Sequence, residues 1–392
     1  MPTLDELTWL ASAEGGAVGR AMAGDDPADT PAAIARWRKR LPADRVTAAA
    51  AMVVLRRMAA DKFTRADAML FDRVALEQAT DEVVATWKAQ RFAGCGSVAD
   101  LCCGIGGDAL ALAGQAEVVA VDRSAVRVRM AEHNAGVYGH NIEGRCGDVA
   151  LRWPVAETFH IDPDRRDKAG RTHQPESSSP PLPVVREIVA HYRDGAVKLS
   201  PGADFDQIGF EAEIEVVSHG GVCRQAVAWT GRLQRDFRRA TVLPAGATIA
   251  ALDRDALAWP EPAAVREGDW LHEPDNAVIR ADLVGLLARR HGLAPVDPQI
   301  AYLVGPQRVD SPLLAAFEVV EVVEFSAKAV RRLLERHGVG RVEIKTRRFA
   351  ARPEQVLKKL RLSGPDAATL LLTHLGDRPS AILARRPAPV QS

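Results

Sequence analysis

The segment Asp100-Leu101-Cys102-Cys103-Gly104-Ile105-Gly106-Gly107-Asp108 follows a short apolar run and precedes a helical one. In that context a glycine-rich loop cradles a cofactor. Gly104 and Gly106 allow a tight turn and a close approach of backbone to ligand. The helix that follows offers its first amides to polar or anionic groups. Val118-Val119-Ala120-Val121-Asp122 is a second apolar run, and it ends in an acid. A carboxylate at the tip of a second strand can accept hydrogen bonds from both hydroxyls of a ribose. The pyrophosphate fingerprint G-x-G-x-x-G is incomplete, because Ala109 stands three positions after Gly106. A nicotinamide dinucleotide is therefore disfavoured.

A second candidate group is His160-Ile161-Asp162-Pro163-Asp164-Arg165-Arg166. Asp162 falls at a strand end, where open α/β sheets bind their ligands; the plainer reading is a helix cap or an ion pair with Arg165 or Arg166. Gly147-Asp148 is either a ligand contact or an ordinary turn. Cys102 and Cys103 read as small packing residues of the glycine loop. His160 is expected to pack on its strand and His173 to be solvated. No Cys/His spacing fits zinc, so no metal is expected.

The elements that must position these residues follow from period and punctuation. Residues 1–93 are Ala-rich and helical, with Met52, Leu55, Met58 and Ala59 at helical spacing, and show no chemistry of their own. From Gly94 onward, short apolar runs alternate with helical stretches, the pattern of βαβ units and a parallel sheet. Strands are expected at 97–101, 117–121, 158–161 and 196–199, helices at 109–113 and 124–134. An antiparallel hairpin is expected at 214–218 and 222–230 around His219-Gly220-Gly221. Arg171 to Pro183 is a Pro/Ser-rich loop, either a lid or a solvent loop. Beyond Trp270 the order helix, then βαβαββ, suits a small α+β domain. The expected domains are 1–93, 94–268 and 269–392.

Composition narrows the classes. Lys+Arg 51 against Asp+Glu 51 excludes a globally basic coat, and 47% hydrophobic residues exclude a disordered chain. No apolar run approaches the roughly 20 residues of a membrane span. The acidic start is unlike a signal peptide. The expectation is a cytoplasmic protein with reduced thiols. Charge is nonetheless segregated: residues 326–361 hold 12 Lys/Arg and 3 Asp/Glu, a net of +9. Such a run is either a solvated face or a nucleic-acid contact.

Taken together, ADLCCGIGGD, VVAVD and AEHNAGVYGHNIEGRCGD resemble the class I methyltransferases, and the core is most similar to the trimethylguanosine synthase branch. The resemblance implies a Rossmann-like α/β core whose sheet ends in an antiparallel hairpin, with S-adenosylmethionine as cofactor. It places Asp100, Cys102, Gly104, Gly106 and Asp108 along the methionine and ribose, Asp122 on the ribose hydroxyls and Asp148 at the adenine amine. Amino-group methyltransferases similar to this chain carry an acid or Asn, two prolines and an aromatic residue after the fourth strand. Asp162 and Pro163 match; Asp164 and Arg165 replace the second proline and the aromatic. Arg165 can still stack on a base or clamp a phosphate. Asp162, Pro163 and Arg165 are thus the expected catalytic residues. Carbon-methylating tRNA uridine enzymes need a cysteine nucleophile after the fifth strand, and Val197-Lys198-Leu199-Ser200-Pro201 has none.

ALEQAT, DPDRR and HEPDNAVIRADL extend the resemblance to a bacterial group of class I methyltransferases with a C-terminal THUMP-like domain. The resemblance implies RNA as partner, and the basic segment 326–361 offers Arg332, Arg336, Lys345, Arg347, Arg348, Lys358 and Lys359 to meet it. The leading expectation is an RNA methyltransferase. Its rivals are a methyltransferase for a small molecule or protein, and a non-catalytic RNA-binding protein with a degenerate fold.

Overall fold

The computed structural model describes every residue except 1, 25–29, 165, 168–169, 172–177, 359, 361 and 388–392; for 166, 167, 170 and 171 it describes the backbone alone. The chain forms two compact units, residues 1–214 with 224–235, and residues 215–223 with 236–392.

In the first unit the described residues open on six α-helices: α1 (Leu4–Ala11), α2 (Ala13–Ala23), α3 (Pro31–Trp37), α4 (Ala43–Ala59), α5 (Arg73–Gln78) and α6 (Glu82–Ala89). Their starts are chemically marked. Thr3 and Glu6 form a capping box, and Ser12, Thr30, Asp72 and Asp81 each accept an amide of the first turn. The stripe buried by α4 is Val46, Ala49, Ala50, Met52, Val53 and Ala59. Met58, expected on that stripe, is 46% exposed, while Met52 and Ala59 of the same expectation are buried.

The sheet of this unit uses β1 (Ser97–Leu101), β2 (Glu117–Asp122), β3 (Glu143–Cys146), β4 (Thr158–Ile161), β7 (Gly195–Leu199) and β9 (Val222–Thr230). Between them lie α7 (Ala109–Leu112), α8 (Ala125–Val137), the short pair β5 (Arg166–Asp167) and β6 (Gly170–Arg171), and α9 (Leu182–Tyr192). Strand order is β9-β7-β4-β1-β2-β3. The strands from β7 to β3 are parallel, and β9 runs antiparallel beside β7. β1 and β7 are buried almost throughout, as expected for a sheet covered on both faces. The chain reverses between β1–β2 and β1–β4, so the carboxyl end of β1 is the switch point where such sheets bind ligands.

In the second unit, β8 (Glu213–His219) contributes residues 215–219 beside β10 (Arg238–Leu243) and β11 (Ala247–Ala251). A second sheet follows from β12 (Trp270–Pro274), β13 (Ala294–Asp297), β14 (Ile300–Gly305), β15 (Leu314–Glu324), β16 (Val339–Thr346), β17 (Asp366–Leu375) and β18 (Arg378–Arg385), in the order β13-β14-β12-β15-β18-β17-β16. Its helices are α10 (Asn276–Arg280), α11 (Val284–His291), α12 (Ala327–Arg336) and α13 (Pro353–Leu357). From β15 onward the order is the expected βαβαββ. The single helix expected at 275–292 is two, broken at Asp282, whose φ is +61°.

Candidate active site

The loop after β1 is shaped by left-handed backbone. Cys102, Gly104 and Gly106 have φ of +64°, +55° and +88°. Cys102 adopts this conformation without glycine's freedom, which costs about 1–3 kcal/mol. The glycines divide the work that was expected of both together. A Cβ on Gly104 would meet nothing within 4 Å, so its face is open to a ligand. A Cβ on Gly106 would lie 3.1 Å from Cα and Cβ of Ala131, so this glycine lets α8 approach the loop. Burial raises both the Cys102 and Cys103 thiols well above their ordinary range, which makes them poor nucleophiles.

Asp122 closes β2 beside this loop. Its carboxylate accepts the amides of Gly104 at 3.1 Å and Ser124 at 2.8 Å, which fixes both oxygens. The amide of Gly147 donates to the Asp122 carbonyl at 3.0 Å, so the Gly-Asp turn lies at the same strand end. Asp148 is exposed there and accepts the Ala150 amide at 2.9 Å, an ordinary turn contact.

Behind the loop lies a buried polar chain. His160 Nδ1 is 2.7 Å from Asp100 Oδ1, and its Nε2 is 2.8 Å from Lys88 Nζ. The same ammonium is 2.7 Å from Asp108 Oδ1. Thr80 donates its hydroxyl to Asp108 Oδ2 at 2.8 Å. Lys198 Nζ donates to Thr80 Oγ1 at 2.8 Å and to Asp162 Oδ2 at 2.5 Å. Burial raises the Asp108 carboxyl, but the adjoining Lys88 and Lys198 ammonium groups outweigh it and hold the group well below the usual carboxylate range. Burial lowers the Lys88 ammonium, and the adjoining Asp108 carboxylate opposes that shift. Burial raises Asp100, against the hydrogen bond from His160.

Two expectations change here. His160 is more than a packed side chain: fully buried, it joins Asp100 to Lys88. The N-terminal helices are also part of the site. Lys88 on α6 and Thr80 just before it enter the polar chain, and Gln78 at the end of α5 donates to Asp164 Oδ1 at 2.7 Å. Lys62 caps that end of α5 through the carbonyls of Leu76, Glu77 and Ala79. Asn134 of α8 ties the pieces together, bonding Leu70 through its amide and carbonyl and the Ile105 carbonyl in the loop.

Asp108 is committed to Lys88 and Thr80, away from the open face of the loop. Asp162 is a quarter exposed and is paired with Lys198; the side chains of Arg165 and Arg166, its other expected partners, lie outside the described residues. Pro163 is buried next to it. Arg165 and residues 172–177 of the expected 171–183 loop, His173 among them, lie outside the described residues, and the end of that loop is already the first turn of α9.

In the second unit, the basic segment proves partly neutralised. Lys345 and Arg347 reach Glu273 at 2.6 and 3.1 Å, Arg336 reaches Glu321 at 2.6 Å and Arg348 lies 3.7 Å from Asp297. Arg332 and Lys358 are exposed; Lys359 lies outside the described residues.

A doubly wound sheet with an acid-flanked glycine loop at the switch point defines a Rossmann-like methyltransferase core. Residues 98–161 match the methyltransferase domain family, 314–386 the THUMP domain-like family and 3–59 a domain of unknown function. Two uncharacterised S-adenosylmethionine-dependent methyltransferases of Mycobacterium tuberculosis, one from each of two strains, are 36% identical over 314 residues, 78% of this chain and 85% of theirs. The crystal structure of a proposed methyltransferase from Porphyromonas gingivalis shares the fold, with a TM-score of 0.77 over 96% of this chain and 99% of that one at 19% identity. The chain belongs to the S-adenosylmethionine-dependent methyltransferases, and S-adenosylmethionine is its cofactor. The residues present suit that ligand, whose sulfonium and ammonium are cationic. Asp100 Oδ2 is buried with no hydrogen-bond partner among the described residues. Around His160, three carboxyl groups (Asp100, Asp108, Asp162) accompany two lysines (Lys88, Lys198), so acids outnumber amines at this site.

Proposed function

We propose that this enzyme methylates RNA, with residues 94–268 carrying the chemistry, 1–93 completing the cofactor site and 269–392 holding the nucleic acid. S-adenosylmethionine supplies the electrophilic methyl group on its sulfonium. Asp122 receives the ribose hydroxyls, Asp100 and the open face at Gly104 receive the methionine portion, and Asp148 meets the adenine amine. Asp162, paired with Lys198, orients the acceptor and takes its proton beside Pro163, while Arg165 contacts the base or a phosphate.

The observation that carries the RNA reading is α12, in the part of the chain that matches the THUMP domain-like family. The helix buries Val330, Leu333 and Leu334 and exposes Lys328, Arg331, Arg332 and Arg336. A basic face of this kind supplies the sequence-independent part of nucleic-acid binding. Mass spectrometry of total RNA nucleosides from cells with and without the protein tests the proposal. One methylated nucleoside should disappear with the gene and return with the protein. An unchanged nucleoside set, together with methyl transfer to a small molecule or protein, contradicts it.

A further inference from the structure

We infer that Lys88 is a positioning residue for the cofactor: acting through His160, it fixes the tautomer of the imidazole and thereby the carboxylate of Asp100. The inference rests on the reading of Asp100 as a cofactor ligand. An ammonium has three donors and no acceptor. Lys88 Nζ lies 2.8 Å from His160 Nε2, so Nε2 carries the lone pair and the proton sits on Nδ1. That proton donates to Asp100 Oδ1 at 2.7 Å, leaving Oδ2 as the unpartnered buried oxygen. Lys88, His160 and Asp100 are each no more than 1% exposed, so water cannot substitute for any link. A lysine 72 residues from His160 in sequence thus sets the geometry of the loop acid.

The charged groups around the imidazole make the role testable. Asp100 faces it from β1, Lys88 from α6 and Asp108 from the start of α7, with Asp108 Oδ2 3.9 Å from Nε2. Lys198 of β7 lies behind Asp108 at 4.0 Å and is paired with Asp162 at the end of the imidazole's own strand. Removing the Lys88 ammonium frees the tautomer, and a neutral ring can then turn a lone pair toward Asp100. Protonating the ring restores both features of the wild type: a donor at Nδ1 and a cation beside Asp108. Low pH should therefore repair the loss.

The test is calorimetric titration of S-adenosylmethionine into full-length wild type, Lys88→Met, His160→Asn, His160→Gln and Asp100→Asn at about pH 6 and about pH 8.5. Asp100→Asn should weaken binding about tenfold or more at both values. Lys88→Met should weaken it about tenfold at the higher pH and recover most of that at the lower, relative to wild type. His160→Asn, which keeps a donor where Nδ1 stands, should bind better than His160→Gln. This comparison still decides the matter if Lys88→Met fails to fold. Equal losses for Lys88→Met at both pH values, or equal affinities for the two His160 variants, would overturn the inference while leaving Asp100 in place. An unchanged affinity in Asp100→Asn would overturn the reading beneath it.

Discussion

Asp162 is the residue proposed to meet the acceptor, and its ion pair with Lys198 makes a clean variant possible. In Asp162→Ala, Lys198 keeps Thr80 at 2.8 Å and Asp108 at 4.0 Å, so the site stays assembled. Turnover should fall about 100-fold or more while cofactor affinity stays within a few fold, as expected for an interaction made near the transition state. Steady-state kinetics beside a binding titration measures the split. Asp108 makes a second prediction. Its folded pKa is depressed, so its contribution to stability is present above the unfolded value of about 4 and is lost as pH falls through that value and below. Asp108→Asn should remove that part of the acid dependence, read as melting temperature against pH. Asp100, raised by burial, contributes with the opposite sign and is untouched by the substitution. Of these residues, Asp122 and Asp162 stood out in the sequence because each closes an apolar run, and Asp100 because it opens the glycine-rich motif. Lys88, Thr80 and Lys198 were not. Their partners lie 20 to 118 residues away, and nothing local distinguishes a buried lysine from a solvated one.

The elements around the loop are joined by a few specific contacts. Asn134 makes three buried hydrogen bonds that tie α8 to Leu70 and to the Ile105 carbonyl. Asn134→Ala leaves those backbone groups unsatisfied and should destabilise the fold by about 2–4 kcal/mol, measured by urea unfolding. Gly106→Ala meets Ala131 and a φ of +88°, and should loosen α8 from the loop in the same measurement. β1, β2, β4 and β7 were readable because buried parallel strands are short apolar runs, whereas β3, with the sequence EGRC and mostly exposed, was not. β10 to β14 were missed. β12 and β13 contain Pro274 and Pro295, and β10 starts with two arginines, so their composition does not read as strand interior.

At the scale of the whole molecule, zero net charge conceals a segregated basic helix. Reversing Arg347, one of the residues expected to meet RNA, would break its pair with Glu273, so it is a poor probe of binding. Arg332→Glu with Lys358→Glu is the better test, because both side chains are exposed. The double variant should bind RNA more weakly across sequences and flatten the salt dependence by roughly 0.7 for each phosphate it no longer neutralises. Cofactor affinity should not change. All of this depends on the cofactor loop, and the most direct measurement is a calorimetric titration of S-adenosylmethionine into the wild type and Asp122→Ala. The wild type should bind, and the variant, deprived of the acceptor for the ribose hydroxyls, should bind about tenfold or more weakly. No binding by the wild type, or equal affinity in the two proteins, would contradict the account.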